Sequence, residues 1–198
     1  MTTVGSRTSD HEIDPIFLER WSPRAFTGEA MPLPVLMQIL EAARWAPSAY
    51  NSQPWRFVYA LRDSPSWANL LSLFVDGNRV WCQHAGALIV IASDSMMLPP
   101  GKDTKVPSHS HSFDTGSAFA SLALQATKLG WHAHGMIGFD RERAFAELGF
   151  KEGYRVEAAV ALGKMGNKEA LPPALLARET PNSRKPLAET AFEGKFGG

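Results

Sequence analysis

The sequence predicts an α+β fold, in which several helices accompany a few strands. The clearest helical pattern covers residues 35–46, where apolar side chains recur at helical spacing. The clearest strand pattern covers 55–61, where large apolar residues alternate with others. A continuous apolar run over 87–92 is typical of a second strand, buried on both faces. The sequence has no internal repeat, and we expect one domain.

The first half of the chain contains two further helix signals. Asp14 and Pro15 predict a short helix to about Trp21, because aspartate caps a helix and proline fits its first turn. After the first strand, Ser64 begins another predicted helix, with Gly77 as its end. Loops separate these elements.

The second half begins with a predicted loop over 94–113, which is rich in proline and serine. Asp114 is predicted to cap a long helix of small residues that ends at Gly130. The remaining predicted elements are strands at 131–136 and 154–162 and a helix at 140–148. From Lys164 onward, prolines and weak periodicity predict an arm that lies over another surface, such as a partner subunit.

Residues 1–13 are rich in threonine, serine and charge and predict a flexible tail, so the predicted domain is 14–198. The chain has 20 basic and 20 acidic residues, a balance that provides no strong field for nucleic acid or an anionic membrane. No signal peptide or membrane-spanning run is visible. The single cysteine, Cys82, favours a reducing compartment, and we expect a cytoplasmic protein with Cys82 buried.

Candidate ligand-binding residues begin with Arg20, Ser22 and Arg24. Guanidinium groups match a phosphate or the edge of an electron-rich heterocycle, and the hydroxyl adds a neutral donor. Alone, this cluster is more typical of an exposed loop. A second stretch over 46–55 is dense in amides and hydroxyls between two prolines. It suits the donor and acceptor edge of a flavin pyrimidine, or alternatively a turn with side-chain-to-backbone hydrogen bonds.

Three more features complete the candidates. Gly135 and Gly138 would let the backbone approach a flat ligand, and Asp140 also suits a helix cap. Arg184, in the C-terminal arm, could reach a phosphate. His109 and His111 form an H-x-H pair, for which a polar loop is favoured over a metal site because no further ligands complete one. The side chains of Trp81, Phe113 and Trp131 are expected in the core or in a pocket wall, with the core favoured.

In their order, these motifs resemble the FMN-dependent nitroreductase family. R-x-S-x-R at 20–24 precedes a helix that ends in A-x-W-A-P-S, continued as P-S-x-x-N-S-Q-P-W-x-F at 47–57. G-F-D at 138–140 and S-R at 183–184 follow. The resemblance extends from about Arg20 to Pro186, and the P-S-x-x-N-S-Q-P-W-x-F string is its most specific part.

The resemblance implies a sandwich with a central mixed sheet wrapped by helices, and an intertwined homodimer with exchanged C-terminal arms. Each of two interface pockets would hold one FMN, with no metal. Arg20 and Ser22 match positions that bind the phosphate and ribityl end of FMN. Arg24 matches a position that places a cation beside flavin N1 and O2, and Arg184 matches a position that binds the phosphate. The other implied contacts are Ile137 and Gly138 near N5 and O4, and, from the other subunit, Pro47, Ser48, Asn51 and Gln53.

The implied activity is hydride transfer from NADH or NADPH, through flavin N5, to a small electron-poor acceptor by a ping-pong mechanism. Arg24 would stabilise the reduced flavin. The alternatives are a flavin-sequestering protein with little turnover, a different flavin reaction, and a chain that merely dimerises. The sequence departs from many members of the family at three positions. Arg24 and Asn182 stand where many members have lysine, and Ile137 stands where many have an acidic residue.

Overall fold

The centre of the protein is a four-stranded sheet. The structure is a computed structural model that describes residues 1–197. The strands of the chain are β1 (Thr3–Val4), β2 (Arg7–Thr8), β3 (Trp55–Leu61), β4 (Ala87–Asp94), β5 (Met96–Met97), β6 (Val106–Pro107), β7 (His132–Met136) and β8 (Tyr154–Gly163). The helices are α1 (Ile16–Glu19), α2 (Leu33–Arg44), α3 (Trp67–Ser72), α4 (Asp76–Cys82), α5 (His111–Lys128), α6 (Arg141–Glu147) and α7 (Pro173–Leu176). The central sheet has the order β3–β4–β8–β7, and β1–β2 and β5–β6 are separate hairpins.

The central sheet lies between two helical layers. Every residue of β4 is buried, and its side chains alternate between the two faces. Ile89 and Ile91 join a core with α2 and α5, whereas Leu88 and Val90 join a core with α3, α4 and α6. The continuous apolar run of β4 therefore serves both layers, as the sequence predicts.

The predicted α+β class is confirmed, and most elements lie within a few residues of their predicted places. The pairings of the central sheet are all antiparallel, whereas a mixed sheet was expected. The reason lies in the connections. The link through α3 and α4 and the link through α6 each bring the chain back to the end of the sheet at which it left, so each joins two antiparallel strands.

Two predicted helix boundaries were wrong. Gly77 lies inside α4 rather than ending a helix, and α3 and α4 are separate. Asp114 is not a cap, because α5 begins at His111 and Asp114 lies in its first turn. Asp140 does cap α6, and its side chain accepts the N–H of Arg143. The predicted loop at 94–113 contains the β5–β6 hairpin and the first residues of α5.

The segment 1–13, expected to be a flexible tail, contains the β1–β2 hairpin, turned at Gly5 with φ +57°. Its separation from a domain at 14–198 stays a prediction. From Lys164 to residue 197 the chain forms an exposed arm with α7 and two short 3-10 turns. Within residues 1–197, no helix combines the length and apolarity needed to cross a bilayer.

Candidate cofactor site

An arginine-lined cavity of about 420 Å³ brings together four of the residues singled out in the sequence, Arg20, Ser22, Arg24 and Arg184. The rest of its lining comes from Asn182, noted above as a departure from the family, and from residues that no motif indicated: Arg7, His134, Ala177, Arg178 and Thr180. We call this space the arginine cavity. A larger opening of about 1050 Å³ lies between the N-terminal hairpin and the C-terminal arm and shares Arg7, Asn182 and Arg184 with it.

The first wall of the arginine cavity is the irregular chain that follows α1. Helix α1 ends at Glu19, and the chain leaves it at Arg20, whose backbone is extended (φ −63°, ψ 118°). Arg20 Nη1 lies 3.4 Å from Ser22 Oγ. Nδ1 of His134, on edge strand β7, donates to the Pro23 carbonyl at 2.9 Å. Strand β7 thus anchors this segment and places His134 in the cavity wall.

The guanidinium groups of the arginine cavity lie close enough to repel one another. Burial, followed by the positive charge of Arg184, lowers the pKa of Arg20 below its usual range. Burial, followed by the charges of Arg184 and Arg20, does the same to Arg7. Within residues 1–197, no carboxylate forms an ion pair with these three arginines. Because arginine stays protonated, the cavity carries an unbalanced positive charge suited to an anion.

Arg24 differs from the other arginines because it has a buried acidic neighbour. Glu179 Oε1 accepts the backbone N–H groups of Arg24 and Ala25 at 2.6 and 2.8 Å. Glu179 Oε2 lies 3.7 Å from Arg24 Nη1. No local pattern in the sequence indicates Glu179, which lies 155 positions from Arg24. Its charge offsets part of the positive charge assigned to Arg24.

The predicted flavin-edge residues Pro47, Ser48, Asn51 and Gln53 form a separate loop. Tyr50, Asn51 and Gln53 have φ of 51°, 53° and 49°, a left-handed conformation that costs non-glycine residues energy and is often found at functional sites. Ser48 Oγ accepts the Gln53 N–H at 3.0 Å, as the turn alternative predicts.

Buried Asp114 holds this loop in place from α5. Its Oδ2 accepts the Ala49 N–H at 3.1 Å and the Ser110 hydroxyl at 2.9 Å. The contact ties the loop to the first turn of the long helix. This explains why an aspartate stands there without capping the helix.

One chain does not bring the loop and the arginine cavity together. The loop leads into Trp55, at the start of edge strand β3, and Trp55 pairs with Ser93. His134, in the cavity wall, lies on β7 at the opposite edge of the sheet, in register with Ala161. Three strand spacings alone separate the two edges by about 14 Å. Accordingly, none of the loop residues lines the cavity.

Ile137 and Gly138 directly follow β7, on the same edge of the sheet as the arginine cavity. Ile137 is 71% exposed and free to contact a ligand. Gly138 packs tightly against α4, since an added Cβ would lie 2.5 Å from Asn78 Nδ2. The Asn78 amide donates to the Gly138 carbonyl at 2.9 Å. The structure therefore gives Gly138 a packing role, whatever contact it makes with a ligand.

The remaining candidate residues lie outside the arginine cavity and the 47–53 loop. His111 Nδ1 lies 2.7 Å from the Ser93 hydroxyl, which donates to Glu157 at 2.6 Å. Within residues 1–197, no group of three or more histidine, cysteine or acidic side chains could hold a metal ion. Trp81, Trp131 and Cys82 are buried as expected, and burial raises the pKa of the Cys82 thiol. The core placement favoured for Phe113 was wrong: it is exposed on the first turn of α5.

Comparisons with known proteins agree with this architecture. The model of the nitroreductase family matches residues 18–164. An NADH dehydrogenase from Thermus thermophilus is 31% identical over 174 residues, which cover 74% of this chain and 83% of that protein. A crystal structure described as the oxidoreductase containing FMN is 48% identical, covers 100% of both chains and has a TM-score of 0.96. A putative nitroreductase in complex with FMN from Desulfovibrio desulfuricans is 27% identical, with coverages of 93% and 99% and a TM-score of 0.68.

The family match covers most of the chain, from α1 to the end of the last central strand, and the structural likeness extends through the arm. This chain belongs to the nitroreductase family.

Proposed function

We propose that the protein is a homodimeric, FMN-dependent oxidoreductase that takes hydride from NADH or NADPH and passes it to a small electron-poor acceptor, such as a nitroaromatic or a quinone. The observation that carries this proposal is the arginine cavity. Arg20, Ser22 and Arg184 come from distant parts of the chain, and their donors share one space. The relatives that contain FMN supply the identity of the anion.

The donor set fits a flavin phosphate. A phosphate monoester carries up to two negative charges and accepts several hydrogen bonds, which guanidinium groups satisfy in pairs. The pKa of Arg20 is lowered by burial and by Arg184, and a bound dianion would relieve that repulsion. FMN, when bound, supplies the two-electron chemistry between nicotinamide and acceptor. The chain supplies binding, orientation and charge.

Within this proposal, Arg24 lies beside the flavin pyrimidine and stabilises the negative charge of the reduced ring. Glu179 holds the Arg24 backbone through two short N–H contacts and limits its net charge. No side-chain nucleophile is required, and Cys82 is buried away from solvent. Ile137 and Gly138 contact the ring from the end of β7.

The two separated residue sets support a dimeric site. Because the 47–53 loop and the arginine cavity lie at opposite edges of one sheet and no loop residue lines the cavity, we assign the two sets of flavin contacts to different chains. We propose that Pro47, Ser48, Asn51 and Gln53 reach the flavin held by the partner. Exposed Trp45 precedes this loop, exposed Tyr50 lies within it, and both suit a surface covered by a second copy. Exchange of the arm and a cytoplasmic location stay predictions.

The visible absorbance spectrum of the purified protein, before and after anaerobic NADPH and then NADH, tests this proposal. We expect a yellow protein that bleaches with at least one donor and recovers its colour with a quinone or nitroaromatic. Steady-state rates should give the parallel double-reciprocal lines of a ping-pong mechanism. A yellow protein that neither donor bleaches would favour flavin sequestration. A colourless protein that refuses added FMN would overturn the proposal.

A further inference from the structure

Arg7, in the N-terminal hairpin, joins three separate parts of the chain at the arginine cavity. Its Nη1 donates to the backbone carbonyls of Leu18 and Arg20, both at 2.8 Å. Its Nε donates to the carbonyl of Asn182 at 2.9 Å. One guanidinium group therefore connects β2, the end of α1 and the C-terminal arm.

These contacts restrain the two arginines that line the cavity from opposite ends of the sequence. The Arg20 carbonyl fixes the backbone from which the Arg20 side chain projects. The Asn182 carbonyl lies two residues before Arg184. Hydrogen bonds from a charged donor are among the stronger ones, and three on one guanidinium hold its plane in a defined orientation. Without Arg7, the arm loses this link to the segment that follows α1.

Arg7 also presents charge to the same space. Its side chain lines the arginine cavity beside Arg20 and Arg184. Within residues 1–197, its Nη2 makes no hydrogen bond, and no carboxylate forms an ion pair with it. The positive charges of Arg184 and Arg20 add to burial in lowering the pKa of Arg7. A phosphate bound by Arg20 and Arg184 would lie in a space that Arg7 also lines, and the Nη2 hydrogens of Arg7 are available to it.

We propose that Arg7 is a phosphate-recognition residue of this site, which also positions Arg20 and the arm that carries Arg184. The proposal rests on the proposed function, since it takes the ligand to be the flavin phosphate. It makes the N-terminal hairpin part of the cofactor site. Ordering of the segment before α1 is then coupled to cofactor binding.

The test compares FMN with riboflavin, which lacks the phosphate, by quenching of flavin fluorescence on titration with the flavin-free protein. Arg7→Ala should weaken FMN binding by ~10–100-fold, the range for losing hydrogen bonds to a charged group. Riboflavin binding should change by less than about threefold, because the ring contacts remain. Thr8→Ala, which loses an exposed hydroxyl contact to Thr3 in the same hairpin, should leave both affinities unchanged.

Arg7→Lys covers the case in which Arg7→Ala fails to fold. It keeps the charge but cannot span three carbonyls, so FMN binding should weaken relative to the wild type, again without a change for riboflavin. Chymotryptic cleavage after Leu187 in the flavin-free protein reports the arm separately and should be faster in both Arg7 variants. An equal loss of FMN and riboflavin affinity, or no loss of either, would overturn the proposal.

Failure of the proposed function gives a different result from failure of this inference. If the wild-type protein binds neither flavin, the proposed function fails. The cavity is then probed with inorganic pyrophosphate by thermal shift. Stabilisation of the wild type but not of Arg7→Lys or Arg7→Ala would support Arg7 as an anion ligand, and equal shifts would overturn it.

Discussion

Arg24 and Glu179 place opposite charges side by side in the proposed cofactor site. The buried carboxylate accepts two backbone N–H groups at 2.6 and 2.8 Å, and its other oxygen lies 3.7 Å from the guanidinium. An isolated buried charge is costly, and each member of this pair makes the other tolerable. The electrostatic effect on a bound flavin is therefore that of the positive charge of Arg24, reduced by the negative charge of Glu179.

At this scale we expect opposite effects from the two residues. Arg24→Ala should weaken FMN binding and slow flavin reduction by about 10–100-fold, because a fixed cation is lost beside the reduced ring. Glu179→Gln keeps an oxygen for the two N–H groups but removes the negative charge, so the flavin reduction potential should rise. Stopped-flow reduction and a spectroscopic titration measure these effects. Arg143→Ala, on exposed α6, is the control.

An unchanged flavin content and reduction rate in Arg24→Ala would contradict the role given to it. A lowered potential in Glu179→Gln would contradict the charge argument for the pair.

At the scale of elements, the segment that follows Arg24 packs against the end of β8. Phe26 pairs with Met165 in an isolated bridge, and its ring lies over Gly163. A Cβ added at Gly163 would lie 2.5 Å from the Phe26 ring. Phe26 in turn contacts Trp81, with ring centroids 6.0 Å apart. Because Gly163 has no side chain, the segment that carries Phe26 can lie close to the sheet.

We expect Gly163→Ala to lower the free energy of unfolding by about 1–3 kcal/mol, because the ring must move out of a well-packed position. Gly77→Ala is the matched control, since Gly77 lies in helical α4 and an added Cβ meets nothing within 4 Å. It should be neutral or stabilising by up to about 1 kcal/mol. Urea denaturation measures both. Equal stability of the two variants would contradict the packing argument.

At the scale of the whole molecule, the proposed site is divided between two edges of one sheet. The arginine cavity lies beside β7, and the 47–53 loop enters β3. A two-fold dimer repeats each half-site, so that two complete sites form at one interface. The twelve-residue helix α2 and the buried Asp114 hold the loop in a conformation that its own sequence does not favour.

Mixed dimers test this division. Arg20→Ala damages the cavity, and Asn51→Gly removes a loop side chain while keeping its positive φ without strain. Each variant alone should lose most activity. A purified heterodimer of the two has one intact site, so it should recover about half of the wild-type activity. A heterodimer as inactive as both parents would show that each site is built from one chain.

The sequence alone determined the α+β class and most elements, because helical and strand periodicity, the Asp140 cap and stops such as Gly130 act over a few neighbouring residues. It also contained an unused signal: the Gly5–Ser6 pair between short strands is typical of a hairpin turn. Motif order identified Arg20, Ser22, Arg24 and Arg184 as candidates, and the family resemblance implied that they share one cofactor pocket.

Only the tertiary structure decided which side chains meet. Arg7 reaches the carbonyl of Asn182 across 175 positions, and Glu179 reaches Arg24 across 155. Such contacts depend on how the arm packs against the hairpin and on the antiparallel order of the strands. Neither of these produces a periodic pattern in the local sequence. The charge balance at Arg24 and the inclusion of Arg7 in the cavity therefore follow from packing between distant segments.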